Sequence, residues 1–319
     1  MTESVNLPKI GSGERVKRRS PRIENFKSTF KLFLKNRIAF VGFCITLVYA
    51  FLTLLDWFYP AYLGVPNIGS LTVFLKGAAP ISATPTAPVF NHGWWYYLGT
   101  TFNLIPIFPG MLAALKVDIT YSVIVVFVGA VIGVVLGTMS GYFGGIYDEA
   151  LMRVTDIFFT VPQIILAIAI SFALGLSLKT VVVSLIIIWW PIYARLTRSI
   201  ALSVKSQKFV EAATASGSGG FRNVFLHVLP NVLSPVFVQI SLDLGSIVLI
   251  FAGLQFLGFN FGSAYLPELG NMISQGQTYL AGGQWWTVVF PGVFLLIFTV
   301  SVNLMGDGLR DVLDPRLRR

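Results

Sequence analysis

Apolar runs of about twenty residues, parted by short polar interludes, recur along this chain, and they constrain its fold more than any other feature. A backbone in lipid must satisfy every N–H and C=O internally, so runs of this length and spacing are read as helices crossing a bilayer. They fall at 38–59, 119–139, 154–173, 180–194, 232–259 and 285–305. The expected fold class is therefore an all-α polytopic membrane protein with six transmembrane helices. Composition agrees, with 55% apolar and only 12% charged residues, about half the charge of a soluble domain.

The formal charge of +9 invites a nucleic-acid partner, but its distribution argues otherwise. With the N-terminus inside, six spans put segments 1–37, 140–153, 195–231 and 306–319 in the cytoplasm. Of the 23 Lys and Arg, all but Lys76, Lys116 and Lys179 lie there. This is the positive-inside asymmetry, and it places both termini in the cytoplasm of a multi-pass cell-membrane protein. The basic stretch RVKRRSPR at 15–22 then serves retention and attraction to anionic lipid, and no nucleic acid is expected. The apolar run 38–55 is too long for a cleaved signal, and Asp56-Trp57-Phe58-Tyr59-Pro60 offers no small-residue cleavage site, so it reads as an uncleaved first helix. One cysteine, Cys44, excludes an intrachain disulfide and a thiolate cluster, and His92 and His227 fall on opposite membrane faces. No cofactor or metal is expected on this chain.

The segments divide as follows. Residues 1–37 form a basic cytoplasmic segment, with Phe26, Phe30, Phe33 and Leu34 at helical spacing over 25–37, an amphipathic helix on the inner surface. The first helix is 38–59, and a long external loop, 60–118, follows with Pro80, Pro85, Pro88 and the aromatics Trp94 to Tyr97. That loop is either a docking or gating element or an insertion resting on the interface. A five-helix core spans 119–305 and includes a cytoplasmic loop at 195–231, before a cytoplasmic tail at 306–319. In the second span Gly129, Gly133, Gly137 and Gly141 form one smooth stripe, for packing on another helix of this chain or for the seam with a second subunit. Pro162, Pro191, Pro235 and Pro291 mark bends. Asp243 is the acid nearest a span centre; it is a pathway or gate residue, or a carboxyl hydrogen-bonded across helices, and the second reading is preferred. Arg153 and Asp156 are spaced to pair on one helix face, and Asp148 and Glu149 read as loop charges.

The polar interlude at 211–231 reads EAATASGSGGFRNVFLHVLPN. It predicts a small-residue helix, a break at Gly217 and a second amphipathic helix stopped by Pro230, the shape of a peg offered to a soluble partner. The chain has no G-x-x-x-x-G-K-[ST], H-E-x-x-H or G-x-S-x-G stretch, so nothing argues for an active site, and it reads as a non-enzyme. Energy for uphill work must come from a partner or an ion gradient.

Glu211-Ala212-Ala213, Gly217 and His227 through Asn231 have the spacing of the EAA loop of ABC importer permeases. Gly144-Gly145 with Asp148, the run from Arg153 through Asp156 to Pro162, Phe256-Leu257-Gly258, Gly270-Asn271-Met272, Phe290-Pro291-Gly292 and the ending from Asn303 to Arg316 match as well. With these residues the chain resembles the C-type permease subunit of the oligopeptide/dipeptide/nickel branch. The resemblance implies a type I ABC importer permease fold, paired with a second homologous permease, two cytoplasmic ATPase subunits and an external substrate-binding protein. ATP and Mg would sit on the ATPase subunits. Glu211, Ala212, Ala213, Gly217, His227, Leu229, Pro230 and Asn231 would seat in an ATPase groove and couple its closure to alternating access. Peptides, oligosaccharides or nickel and other small solutes are the implied cargoes. The pattern departs before residue 120, where Gly99-Thr100-Thr101 is followed by Phe102-Asn103-Leu104 without the acid and arginine of the usual GTD–GRD run. Two other classes compete: an ion-coupled secondary transporter, for which no internal repeat is seen, and a membrane anchor that recruits a soluble partner.

Overall fold

The computed structural model describes residues 33–34, 36–58, 84–90, 96–101, 106–259 and 267–313. The basic stretch 15–22, the amphipathic helix expected over 25–37 up to residue 32, His92, Trp94, Trp95, Phe102 to Leu104 and the tail from Asp314 lie outside these residues. The described residues form helices and no strand ladder. Helix α1 spans Arg37–Phe58, α2 Ile107–Phe143, α3 Gly145–Thr160, α4 Gln163–Ala173, α5 Leu178–Lys205, α6 Lys208–Ala215 and α7 Gly220–Asn223. A π-helical turn, Val224–Val228, then leads into α8, Leu229–Phe256, followed by α9, Leu269–Leu280, and α10, Trp286–Leu313.

Among the described residues five helices are long and apolar enough to cross a bilayer, and the bent pair α3–α4 makes a sixth crossing if taken as one span. That pair corrects the expected straight span over 154–173. Pro162 drives Val161 into an extended conformation (φ −105°, ψ 134°), and the two helices meet at 98°. Helix α4, with 11 residues, rises only about 16 Å, roughly half the hydrocarbon thickness.

Two further boundaries differ from expectation. Helix α2 begins at Ile107, so the last part of the presumed external loop is helical. Pro109 falls in the first turn, where its missing N–H costs nothing, and Lys116 is buried against Asp56 of α1 at 3.4 Å. An opposite charge on a neighbouring helix thus admits a lysine to an apolar helix. At the other end, α10 runs unbroken to Leu313, so the tail from 306 begins as helix. Pro191, Pro235 and Pro291 all lie inside continuous helices.

The bundle centres on α2 and α5, which pack along most of their lengths. Gly129, Gly133, Gly137 and Gly141 face Trp189, Trp190 with Tyr193, Ala194 and Arg198 respectively. A Cβ at Gly133, Gly137 or Gly141 would come closer than 3.0 Å to a carbonyl of α5. The stripe is therefore filled by this chain's own helix, and the subunit-seam alternative for that face is excluded. Thr197 lies on the seam, its hydroxyl donating to the Tyr193 carbonyl at 2.8 Å. One core, with Val125, Leu185, Trp189, Tyr193, Val232 and Phe251, joins α2, α5 and α8. A second, with Tyr49, Met111, Leu115, Val248, Leu269 and Phe298, joins α1, α2, α8, α9 and α10.

Helix α5 starts with a reciprocal cap: the Ser177 hydroxyl accepts from the Thr180 N–H at 3.2 Å, and the Thr180 hydroxyl accepts from the Ser177 N–H at 3.0 Å. It ends at Lys205, so residues 195–205 extend the span and the loop proper begins at Ser206.

Candidate functional site

The segment from Ser206 to Asn231 is built on the ends of α5, α2 and α8. Helix α6 anchors itself through one apolar side chain, Val210, which is 2% exposed. Glu211 and Ala212 on its opposite side are exposed, and Ala213 is half-buried. The helix closes on Gly217, whose φ of +85° is left-handed. The Gly217 N–H donates to the Thr214 carbonyl at 2.9 Å and the Ser218 N–H to the Ala213 carbonyl at 3.0 Å. This pair of bonds is the Schellman closure, and it is the reason glycine stands here. Nothing lies within 4 Å of a Cβ placed at Gly217, so the constraint is backbone strain and not crowding.

Asn223 ties this turn to the bundle. Fully buried, it donates from Nδ2 to the Tyr142 hydroxyl of α2 at 3.0 Å, to the Thr214 hydroxyl of α6 at 3.0 Å and to the Ser218 carbonyl at 3.4 Å. Lys205 Nζ lies over the Tyr142 ring at 5.6 Å. Phe221, Phe225 and Leu226 are exposed beside these ties. A cleft of about 670 Å³ opens between α6 and the ends of α2 and α5, lined by Tyr142, Leu202, Lys205, Val210, Glu211 and Thr214 among others. Exposed small residues and aromatics thus stand together on a braced turn.

Pro230 does not stop the second helix. The chain is helical from Gly220 to Phe256, and the proline is absorbed by the π turn. Pro230 has no N–H, and its ring crowds the carbonyl four residues back, so the preceding turn widens and the Leu229 N–H reaches the Val224 carbonyl. His227, half-buried, lies in this turn, and Asn231 Nδ2 donates to its carbonyl at 2.6 Å. Of the eight expected coupling residues, Glu211, Ala212 and Ala213 lie on α6, Gly217 closes it, His227 sits in the π turn, and Leu229, Pro230 and Asn231 open α8.

Beside it, α3 is strapped to α5. Arg198 is bidentate on Asp148, Nε to Oδ1 at 2.5 Å and Nη2 to Oδ2 at 2.6 Å, and the Ser140 hydroxyl also donates to Asp148. Arg195 pairs with Asp156 at 2.7 Å and lies over the Phe159 ring at 4.1 Å. Asp148 is therefore no loop charge, and Asp156 finds its partner on α5 instead of Arg153, which pairs with Glu149 at 3.7 Å. Neither partner could be read from spacing along one helix, because both lie across helices.

Asp243, 4% exposed, stands where α8 meets α5. Its Oδ1 accepts from Gln239 Nε2 at 2.8 Å. The Tyr193 hydroxyl and the Trp189 indole N–H turn toward the same carboxyl. Oδ2, the Tyr193 oxygen and Trp189 Nε1 have no hydrogen-bond partner within bonding distance among the described residues. The carboxyl is enclosed by donors of two helices, which fits a bonding role. We expect Asp243→Asn to insert and transport nearly as wild type, because an amide keeps an acceptor for these donors. Asp243→Leu orphans them at about 1–3 kcal/mol. Transport assays at matched membrane expression check this, and loss of transport in Asp243→Asn with normal assembly would assign the charge to the pathway.

Long apolar helices and a bent crossing, with a braced turn between two of them, are the make-up of a multi-pass membrane protein. Residues 133–319 match the family described as binding-protein-dependent transport system inner membrane component. The chain belongs to this family and is a multi-pass membrane permease of the ABC importer class. The dipeptide transport system permease DppC of Alkalihalophilus pseudofirmus is 31% identical over 93% of this chain and 91% of its own length. DppC of Haemophilus influenzae is 30% identical over 90% of this chain and 93% of its own. A probable D,D-dipeptide permease, DdpC of Escherichia coli, is 38% identical over 69% of this chain and 74% of its own. Among solved structures, a chain of the MetNI methionine ABC transporter in inward-facing form superposes with a TM-score of 0.52 at 22% identity. It covers 65% of this chain and 98% of that one, and shows the type I permease fold.

Sequence reasoning missed Asn223, Arg198 with Asp148, and Lys116 with Asp56. A lone Asn in a loop and charges at span ends carry no signal of their partners. The Lys and Asp inside otherwise apolar helices were the one visible hint.

Proposed function

We propose that this chain is one half of the membrane pathway of an ATP-driven peptide importer, with residues 206–231 presented to a cytoplasmic ATPase subunit. The braced turn at Gly217 carries this reading: Asn223 and Lys205 fix it to α2 and α5, so a push on the peg is delivered to the helices that form the centre of the bundle. A second homologous permease, two ATPase subunits and an external binding protein complete the assembly. Both termini lie in the cytoplasm with the peg, as the distribution of Lys and Arg supports. ATPase closure biases a two-state bundle between inward- and outward-facing arrangements. Peptide is the cargo because relatives are named for dipeptide, peptide or glutathione transport, and no observation favours oligosaccharide or nickel.

Reconstitution with its ATPase subunits and binding protein tests the proposal. ATP-dependent uptake of labelled dipeptides into proteoliposomes is expected, and uptake of oligosaccharides alone would overturn the cargo. The purified chain by itself should neither bind nor hydrolyse ATP, since it has no phosphate-binding loop. Nucleotide binding measured by filter retention on the isolated chain would count against the permease role.

A further inference from the structure

Two carboxylic acids are buried against each other at the end of the bundle opposite the peg. Asp118 lies near the start of α2 and Glu268 immediately precedes α9, and both are 0% exposed. Glu268 Oε2 accepts from the Asn271 N–H at 2.6 Å, and Asp118 Oδ2 accepts from the Leu269 N–H at 3.3 Å. The first turn of α9 is thus capped by one oxygen from each acid. The other two oxygens, Asp118 Oδ1 and Glu268 Oε1, have no hydrogen-bond partner among the described residues, and they belong to carboxyls held on the same helical turn. An ionised carboxylate only accepts, so these two oxygens can satisfy each other only if one carboxyl carries a proton. Two adjoining carboxyls in one buried site do not both ionise.

The charges on the packed elements do not replace that proton. Lys116, the cation of α2, is engaged by Asp56 of α1. Tyr49 of α1 donates to the Phe294 carbonyl at 2.9 Å, and Tyr121 of α2 stacks on Phe251. Helix α8 offers Asp243, which faces Gln239, Tyr193 and Trp189. Helix α9 has no Asp, Glu, Lys or Arg, Tyr279 being its titratable group. The charges of α10, Asp307, Arg310 and Asp311, cluster at its far end. A metal ion would need more ligands, and no three His, Cys, Asp or Glu residues stand together among the described residues.

We infer that Asp118 and Glu268 form a proton-binding site, holding one proton between Asp118 Oδ1 and Glu268 Oε1, and that the protonated pair fastens the start of α9 to α2. Tight packing makes the fastening consequential. Gly270 lies against the Ala252 backbone so closely that a Cβ there would collide with it, so α9 cannot shift without leaving α8. Burial pushes the Glu268 carboxyl up, to about 7. Because the folded value is raised, the contribution to stability is complete below the usual carboxylate range and is lost as pH rises through about 7. Above that, a second negative charge is left in a closed site, and α9 loosens from α2. This site goes beyond the transport reading and does not depend on it.

Infrared spectroscopy of the full chain in nanodiscs, titrated through neutral pH, tests the site. Wild type should show the carbonyl band of a protonated carboxyl on the acid side that is lost on the alkaline side, with the thermal unfolding midpoint falling over the same range. Neither Asp118→Asn nor Glu268→Gln should show a band titrating in that window, and the fall in midpoint should flatten. Should either variant fail to insert, Asp243→Asn decides, because the band must survive it. Absence of any titrating band in wild type, its persistence in both single variants, or its loss in Asp243→Asn would overturn the site.

Discussion

Gly137→Val should abolish accumulation of inserted, folded protein. At Gly137 a Cβ would collide with the Ala194 carbonyl and the Thr197 hydroxyl, both belonging to the helix that α2 packs against along most of its length. Overpacking typically costs about 1–3 kcal/mol where side chains can move aside. Here the obstacle is backbone, so the two helices must separate and forfeit the contacts along the stripe. The effect should be graded along α2. Gly129→Ala meets the Trp189 Cβ at 3.4 Å and the Trp190 N at 3.5 Å, ordinary contact distances, and should be tolerated, whereas Ala at Gly133 or Gly137 collides with a carbonyl of α5. Membrane yield and thermal unfolding midpoints of the four single variants provide the check. Equal midpoints for Gly129→Ala and Gly137→Ala would show that α2 and α5 do not approach this closely.

For Gly217→Val the expected result is the reverse: normal insertion and loss of transport. A β-branched residue at φ +85° costs about 1–2 kcal/mol or more, and the eight-residue α6 has only Val210 buried to resist the strain. The Schellman bonds of Gly217 and Ser218 should open, and the Asn223 bonds to Thr214 and the Ser218 carbonyl with them. No span is touched, and a Cβ meets nothing, so the bundle should keep its stability. Docking of ATPase subunits should weaken, and peptide uptake should fall with it. Glu211→Ala, which removes an exposed carboxylate worth at most about 1 kcal/mol, should be milder. Quantitative pull-down of the ATPase subunits alongside uptake separates these outcomes. Full docking and uptake in Gly217→Val would reduce the turn to a connector.

The sequence by itself determined the helical membrane class, most of the spans, the charge asymmetry, the peg and its glycine closure. Each is a local signal: run length, charge between runs, or a residue type demanded by a single φ, as at Gly217. The glycine stripe was equally visible, but its partner was not. A helix in lipid is apolar on every side, so hydrophobicity does not tell the face that packs on protein from the face that meets lipid. Only the tertiary structure decided that α5 fills the stripe. It also decided that the third crossing bends by 98° at Pro162, while Pro230, the same residue type near a helix start, is absorbed by one π turn. The polar contacts were the least legible. Arg198 and Asp148 lie 50 residues apart in sequence, and Leu269 and the Asp118 that caps it 151 apart. In each case an isolated charge would be costly in an apolar bundle, so its presence signals a partner. Which residue answers is fixed by the folding of distant helices onto one another, and by nothing in the neighbouring sequence.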